Sequence, residues 1–232
     1  MTRFMIRLVL VTLTGGAFLP WSHAQERKLE PVDEARSDLS WAMFKNRLLD
    51  AVMQRDRKFV LSILDRNVRV GIDGASGVAE FTKQWYLDAE DSPLWRDLPS
   101  ALFLGAAYLK YGRGPRELCS PYLLAQWPRG MDPHTYGAII SRDALVKSEP
   151  SITSQTLVTL SYEIVPVADW EIADEAPDYP QKWAKIKLKD GEGYVPAEQI
   201  RSPIEQTACF VKTENGWRMT AFAPAGGINE VN

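Results

Sequence analysis

The chain has 232 residues, 45% of them apolar and 25% charged, with 27 Lys and Arg against 30 Asp and Glu for a formal net charge of −3. This is the composition of a globular protein with a real core, long enough for one large domain or two small ones. A mildly acidic chain without basic blocks argues against nucleic acid and anionic membrane surfaces as partners.

From Met1 to Ala24, Arg3 and Arg7 precede an apolar run, Leu8 to Leu19, and Ser22-His23-Ala24 sets small residues where a signal peptidase reads. The pattern predicts a secretory signal, and hence a periplasmic or secreted protein. The competing reading is a buried N-terminal helix. No Cys lies near the cleavage point, so no lipid anchor is expected. Nothing later reaches the ~18 to 20 consecutive apolar residues of a spanning helix, so no stable membrane span is expected either.

Residues 25–40 form a polar leader, and 41–142 read as a helical α+β domain. Trp41, Phe44, Leu48 and Val52 fall at helical spacing, with Ser37 as the expected N-cap. A second helix begins at Asp56 with Phe59, Val60, Ile63 and Leu64 inward. Val68 to Ile72 then reads as a strand, and Val78 to Trp85 as a third helix. Ser92-Pro93 opens a helical segment that Pro99 splits or restarts. Between Leu104 and Pro128 the pattern does not separate helix from strand.

Three strand runs follow: Ala144 to Ser151, Leu157 to Val167, and Lys182 to Leu188, where Ala184, Ile186 and Leu188 alternate with lysines. Asp190-Gly191 and Gly193 then supply turn residues before Tyr194-Val195, which predicts a hairpin. At this point ALVKSEPS (144–151) and WAKIKLKDGEGYVPAEQI (183–200) resemble the bacterial SH3-like domain, with its opening V-x-x-R-x-x-P-S strand and closing W-x-K-V…dG…GyV hairpin. The likeness covers 143–203. It departs at Lys147 and Ser148 and by an insertion, Asp169 to Gln181. A weaker likeness joins the helices of the first part and the strands around Thr207 to Phe222 to cone-shaped NTF2-like domains. The expected fold is α+β: a helical, NTF2-like N-terminal part, a small all-β SH3-like barrel, and a C-terminal hairpin over 204–232. If the second likeness holds, the barrel is inserted and the hairpin returns to the first part.

Without the expected signal, 1–24, the chain keeps one histidine, His134, which removes His-paired metal sites and leaves any triad or dyad resting on one residue. Cys119 and Cys209 are an even pair in an oxidising compartment: a disulfide, two buried thiols, or a Cys119–His134 dyad are the readings. His134 itself reads as an exposed turn residue. Asp88, Glu90 and Asp91, and Asp169, Glu171, Asp174, Glu175 and Asp178, read as solvated loops. No calcium loop, phosphate-cradling glycine motif or G-x-S-x-G is present, and nothing calls for a metal or cofactor.

Strand parity puts Trp183 with Lys185 and Lys187 on the face opposite Ala184, Ile186 and Leu188, outside the barrel core. The SH3-like resemblance implies a ligand groove beside this strand. Trp170, Tyr179, Trp183 and Tyr194 are then a candidate aromatic and acidic groove for a peptide carrying some positive charge. The alternative is that Trp183 seals the junction between the two parts. The functional expectation is an exported, non-catalytic envelope protein that binds peptidoglycan or a periplasmic protein or peptide. Two alternatives stand beside it: a periplasmic hydrolase with buried carboxylates in the cone, and an inhibitor or structural partner of an envelope protein.

Overall fold

The computed structural model describes residues 27–110, 116–176 and 180–228; the expected signal 1–24, Asp178 and Tyr179 lie outside the described residues. Helix α1, Leu39–Met53, starts at Asp38 rather than at Ser37, because the Asp38 carboxylate accepts the backbone N–H groups of Ser40 (2.9 Å) and Trp41 (3.3 Å). Trp41, Leu48 and Val52 face the core. Helix α2, Arg57–Ile63, is capped by Asp56, whose carboxylate accepts from the Phe59 N–H. Strand β1 runs over Leu64–Arg69, earlier than the expected Val68–Ile72. Its LDRNVR sequence lacks alternation, and its register against its partner shifts between Leu64 and Arg69.

Helices α3, Val78–Gln84, and α4, Leu94–Leu102, are joined by Ser92, whose hydroxyl donates to the Trp85 carbonyl and accepts from the Leu94 N–H. Pro99 lies inside α4 and does not end it. The ambiguous stretch contains β2 (Ala107–Tyr108), β3 (Leu118–Ser120) and α5 (Leu123–Gln126). Next come β4 (Tyr136–Ile139), β5 (Ala144–Lys147), β6 (Thr156–Leu160), β7 (Ile164–Ala173), β8 (Lys182–Leu188) and β9 (Gly191–Pro196). A 3-10 turn, Ala197–Gln199, leads into β10 (Ile200–Arg201), and the C-terminal hairpin is β11 (Thr207–Thr213) and β12 (Gly216–Ala223).

The chain is α+β with two mostly antiparallel sheets, ordered β1-β12-β11-β3-β2 and β10-β4-β7-β8-β9-β5-β6. The C-terminal hairpin therefore belongs to the first sheet, and only β1 pairs parallel to its neighbour. The second sheet begins at Tyr136, ahead of the expected Asp143: β4 is short, and only its pairing with β7 and β10, both distant in sequence, makes it a strand. The expected insertion 169–181 begins as strand, since β7 continues to Ala173.

Each sheet has its own core. In the first, α1 to α4 lay Trp41, Leu48, Phe81, Trp85, Leu94 and Leu98 against Phe210, Trp217 and Phe222, with Trp85 stacked on Phe222 at 4.4 Å. In the second, Val146, Ala184, Ile186, Val195 and Ile200 pack together. Cys119 and Cys209 face each other across β3 and β11 and are bonded, with Cα atoms 4.1 Å apart and 90 residues between them in sequence. The chain leaves the first sheet after β3 and returns at β11, so the bond closes the neck through which the whole second sheet is inserted.

The polar leader binds both halves. Leu29 donates its N–H to the Tyr162 carbonyl at 2.7 Å and Lys28 pairs with Glu163 at 3.0 Å, on the second sheet's side. A few residues on, Glu34 donates to the Ala106 carbonyl, and its carboxylate accepts the Tyr108 N–H. Among the described residues no helix is long and apolar enough to cross a membrane.

Candidate functional site

The predicted aromatic groove does not assemble. Ala184 and Ile186 enter the second core while Lys185 and Lys187 face out, so Trp183 stands on the outer face as its parity requires. It is nevertheless fully buried, because the chain after β7 folds back over it. Its Nε1–H donates to Asp174 Oδ2 at 2.8 Å, Asp174 also accepts the Ala176 N–H, and Glu175 N–H is tied to the Pro150 carbonyl. Parity identifies the face of a strand but not what covers it, and a sealed indole cannot meet a ligand. Trp170 is turned the other way: β7 shifts register on both sides of Asp169, Glu171 has φ +60°, and the ring packs on the second core. A Cβ at Gly137 would lie 3.0 Å from Trp170 Cη2, so that glycine makes room for the ring.

Tyr194, like Trp170, is half-buried. It lies in a cross-strand row with Asp169, Lys185 and Lys147, and the Lys185 ammonium sits 5.9 Å from its ring centre. Lys185 pairs with Glu192 at 2.6 Å, and that hydrogen-bonded carboxylate raises the lysine pKa.

The cysteine–histidine dyad is excluded by the disulfide, and His134 is exposed in its turn. Among the described residues the core of the first sheet holds no buried carboxylate pair. Trp41, Phe81, Trp85 and Phe222 fill that core, and the two buried carboxylates among the described residues, Glu163 and Asp174, belong to the other half. Among the described residues no group of three His, Cys, Asp or Glu side chains is placed to hold a metal ion.

A cleft that sequence reading missed opens where the two halves meet. It has a volume of about 460 Å³, and its walls come from the leader (Pro31, Val32, Asp33, Arg36), from Lys45 of α1, from Phe103, Leu104 and Gly105 after α4, and from Tyr122 and Ile140. That volume falls in the range of small-molecule and peptide sites. Gly105 fixes the leader here: its φ is +81°, and a Cβ in its place would come within 2.4 Å of the Val32 carbonyl oxygen. No larger residue permits that approach.

The walls mix apolar side chains with polar groups, and the rim is charged with both signs. Phe103 is 72% exposed. Asp33 Oδ1 is buried without a hydrogen-bond partner, while its other oxygen lies 4.0 Å from Lys45 Nζ. Arg36 is exposed and in no ion pair among the described residues. Tyr122 donates its hydroxyl to the Leu29 carbonyl, and burial pushes its pKa up to about 12, so it stays neutral and fixed. An unpaired buried acceptor is costly unless something donates to it. The Asp33 carboxylate, two cations and the Phe103 ring together suit a ligand with an N–H donor, an apolar side chain and a carboxylate. No local signal announces this site, since its residues are scattered from Pro31 to Ile140. Comparison with known families, curated proteins and solved structures found no match to this chain.

Proposed function

We propose that this chain is an exported, non-catalytic binding protein of the bacterial cell envelope, and that the cleft at the seam receives a short peptide. In this reading the second sheet is an SH3-like unit inserted into an NTF2-like frame. Support comes from the β8–β9 hairpin, the 3-10 turn into a last short strand, and the C-terminal hairpin paired back into the first sheet. The observation that carries the function is the cleft itself, walled by the exposed Phe103 and rimmed by Asp33, Arg36 and Lys45. A peptide supplies all three complements: N–H groups for Asp33, an apolar side chain for Phe103, and a terminal carboxylate for the cations. In the envelope such a ligand is the stem peptide of peptidoglycan or a segment of a periplasmic protein.

The test is co-sedimentation of the purified protein with peptidoglycan sacculi, with a titration of soluble stem peptide followed by tryptophan fluorescence. Wild type should pellet and respond to the peptide. A Phe103→Ala, Arg36→Ala variant, altered only at exposed side chains, should lose about tenfold or more in affinity, the effect of one lost charge-assisted contact and one apolar anchor. Absence of both pelleting and peptide response in wild type removes the wall ligand. A variant that binds as wild type does removes the cleft.

A further inference from the structure

The leader is fastened at two points, one on each half, and between them it forms a wall of the cleft. The first point is an antiparallel bridge between Lys28 and Glu163, at the start of β7. Leu29 N–H donates to the Tyr162 carbonyl at 2.7 Å, Ile164 N–H donates to the Arg27 carbonyl at 2.8 Å, and the Lys28 ammonium pairs with Glu163. The Leu29 side chain is buried in an apolar cluster with Ala107, Tyr122 and Ile164. The second point is Glu34, whose N–H donates to the Ala106 carbonyl and whose carboxylate accepts from the Tyr108 N–H and the Gln126 amide. Pro31, Val32 and Asp33, between the two, line the cleft. Tyr122 belongs to both places: it lines the cleft, and its hydroxyl holds the Leu29 carbonyl.

We propose that the bridge at Lys28 and Leu29 is a latch that sets the affinity of the cleft, and that a ligand in the cleft holds the latch shut. This rests on the peptide-binding reading and adds the regulation of that site. Opening the bridge leaves the leader attached only from Glu34 onward, and Pro31 to Asp33 then come away from the opposite wall at Phe103 and Ile140. A ligand that touches both walls binds the latched state more tightly than the open one. By linkage, the factor by which latching raises its affinity is the factor by which it favours latching. Arg27, Lys28, Leu29 and Glu163 do not line the cleft, so their effect on binding passes through the leader. The latch is also the weaker of the two fastenings: an exposed ion pair contributes little, and bonds at the first residues of a fold open ahead of its core.

Hydrogen exchange of the Leu29 and Ile164 amides tests it, without peptide and with soluble stem peptide at about 100 times its Kd. In the free protein these two amides should exchange well ahead of the core amides of β8 and β11. With peptide they should slow by up to about 100-fold, the ratio for a ligand that binds only the latched state. Leu29→Asp, which sets a carboxylate in the apolar cluster and opens the latch, should bind the peptide about fivefold or more weakly. Lys28→Arg, which keeps the ion pair, should bind as wild type does. If Leu29→Asp fails to fold, the wild-type exchange decides. Latch amides that exchange at the core rate without peptide overturn the inference. So does a wild type that binds the peptide with latch exchange unchanged, or a folded Leu29→Asp that binds as wild type does, and in both cases the cleft keeps its peptide. A wild type that does not bind the peptide overturns both readings.

Discussion

Trp183 and Asp174 form the most isolated polar pair in the second half: an indole with no exposed surface bonded to a carboxylate that is 9% exposed. The bond satisfies a donor that burial would otherwise strand, and it pins the returning chain over the outer face of β8. Trp183→Phe keeps most of the apolar volume but leaves Asp174 Oδ2 without the indole. The variant should lose about 1 to 3 kcal/mol in a denaturant melt, the cost of an unsatisfied buried polar group. Its peptide binding should match wild type. Weaker peptide binding in a folded Trp183→Phe protein would return this residue to the ligand site and count against the seam cleft.

Asp38 decides where α1 begins and what it is attached to. Its carboxylate caps the first turn and pairs with Lys212 of β11 at 2.8 Å, so one side chain ties the first helix to the last hairpin. The bond from Lys212, with help from Ser40, holds the Asp38 pKa well below its ordinary value of 3.8. A lowered carboxylate pKa means that the unfolded chain takes up the proton first. The stabilisation is therefore complete above about pH 3.8 and is lost as pH falls through the folded value. Lys212→Met should lower the melting temperature near neutral pH and flatten its fall in acid. An acid limb as steep as wild type would mean that other carboxylates control it. The same scale explains what sequence could disclose. The β8–β9 and β11–β12 hairpins are legible because alternation and turn glycines are local signals. Strands β2, β3, β4 and β10 are not, being two to four residues long and strands only by virtue of distant partners. Asp38 and Ser37 are equally good caps on paper; the lysine that favours Asp38 lies across the fold. The cleft is hidden for the same reason, since Asp33, Lys45, Phe103 and Ile140 share no pattern.

At the scale of the molecule, one sheet is threaded into the connection between two strands of another. The leader, bonded to both halves, the disulfide at the neck and an apolar cluster joining Ala107 and Tyr122 to Ala138 and Ile164 hold the insertion in place. An insertion of this size makes the first sheet entropically demanding, because β11 must find β3 after a long excursion. Cross-linking that pair removes the search: by the chain-entropy relation, a loop of 90 residues gives roughly 4 to 5 kcal/mol. Both sulfurs are fully buried, so a reductant should act on the unfolded chain and leave the native protein bonded. The double variant Cys119→Ala, Cys209→Ala should therefore melt well below wild type, with its loss appearing first in the β3–β11–β12 amides by hydrogen exchange. The second sheet, with its own core and no part in the bond, should hold its protection longer. A variant that loses less than about 1 kcal/mol would assign the neck to the leader instead. Deletion of 27–36 would then be the change that separates the halves and, with them, the two walls of the cleft.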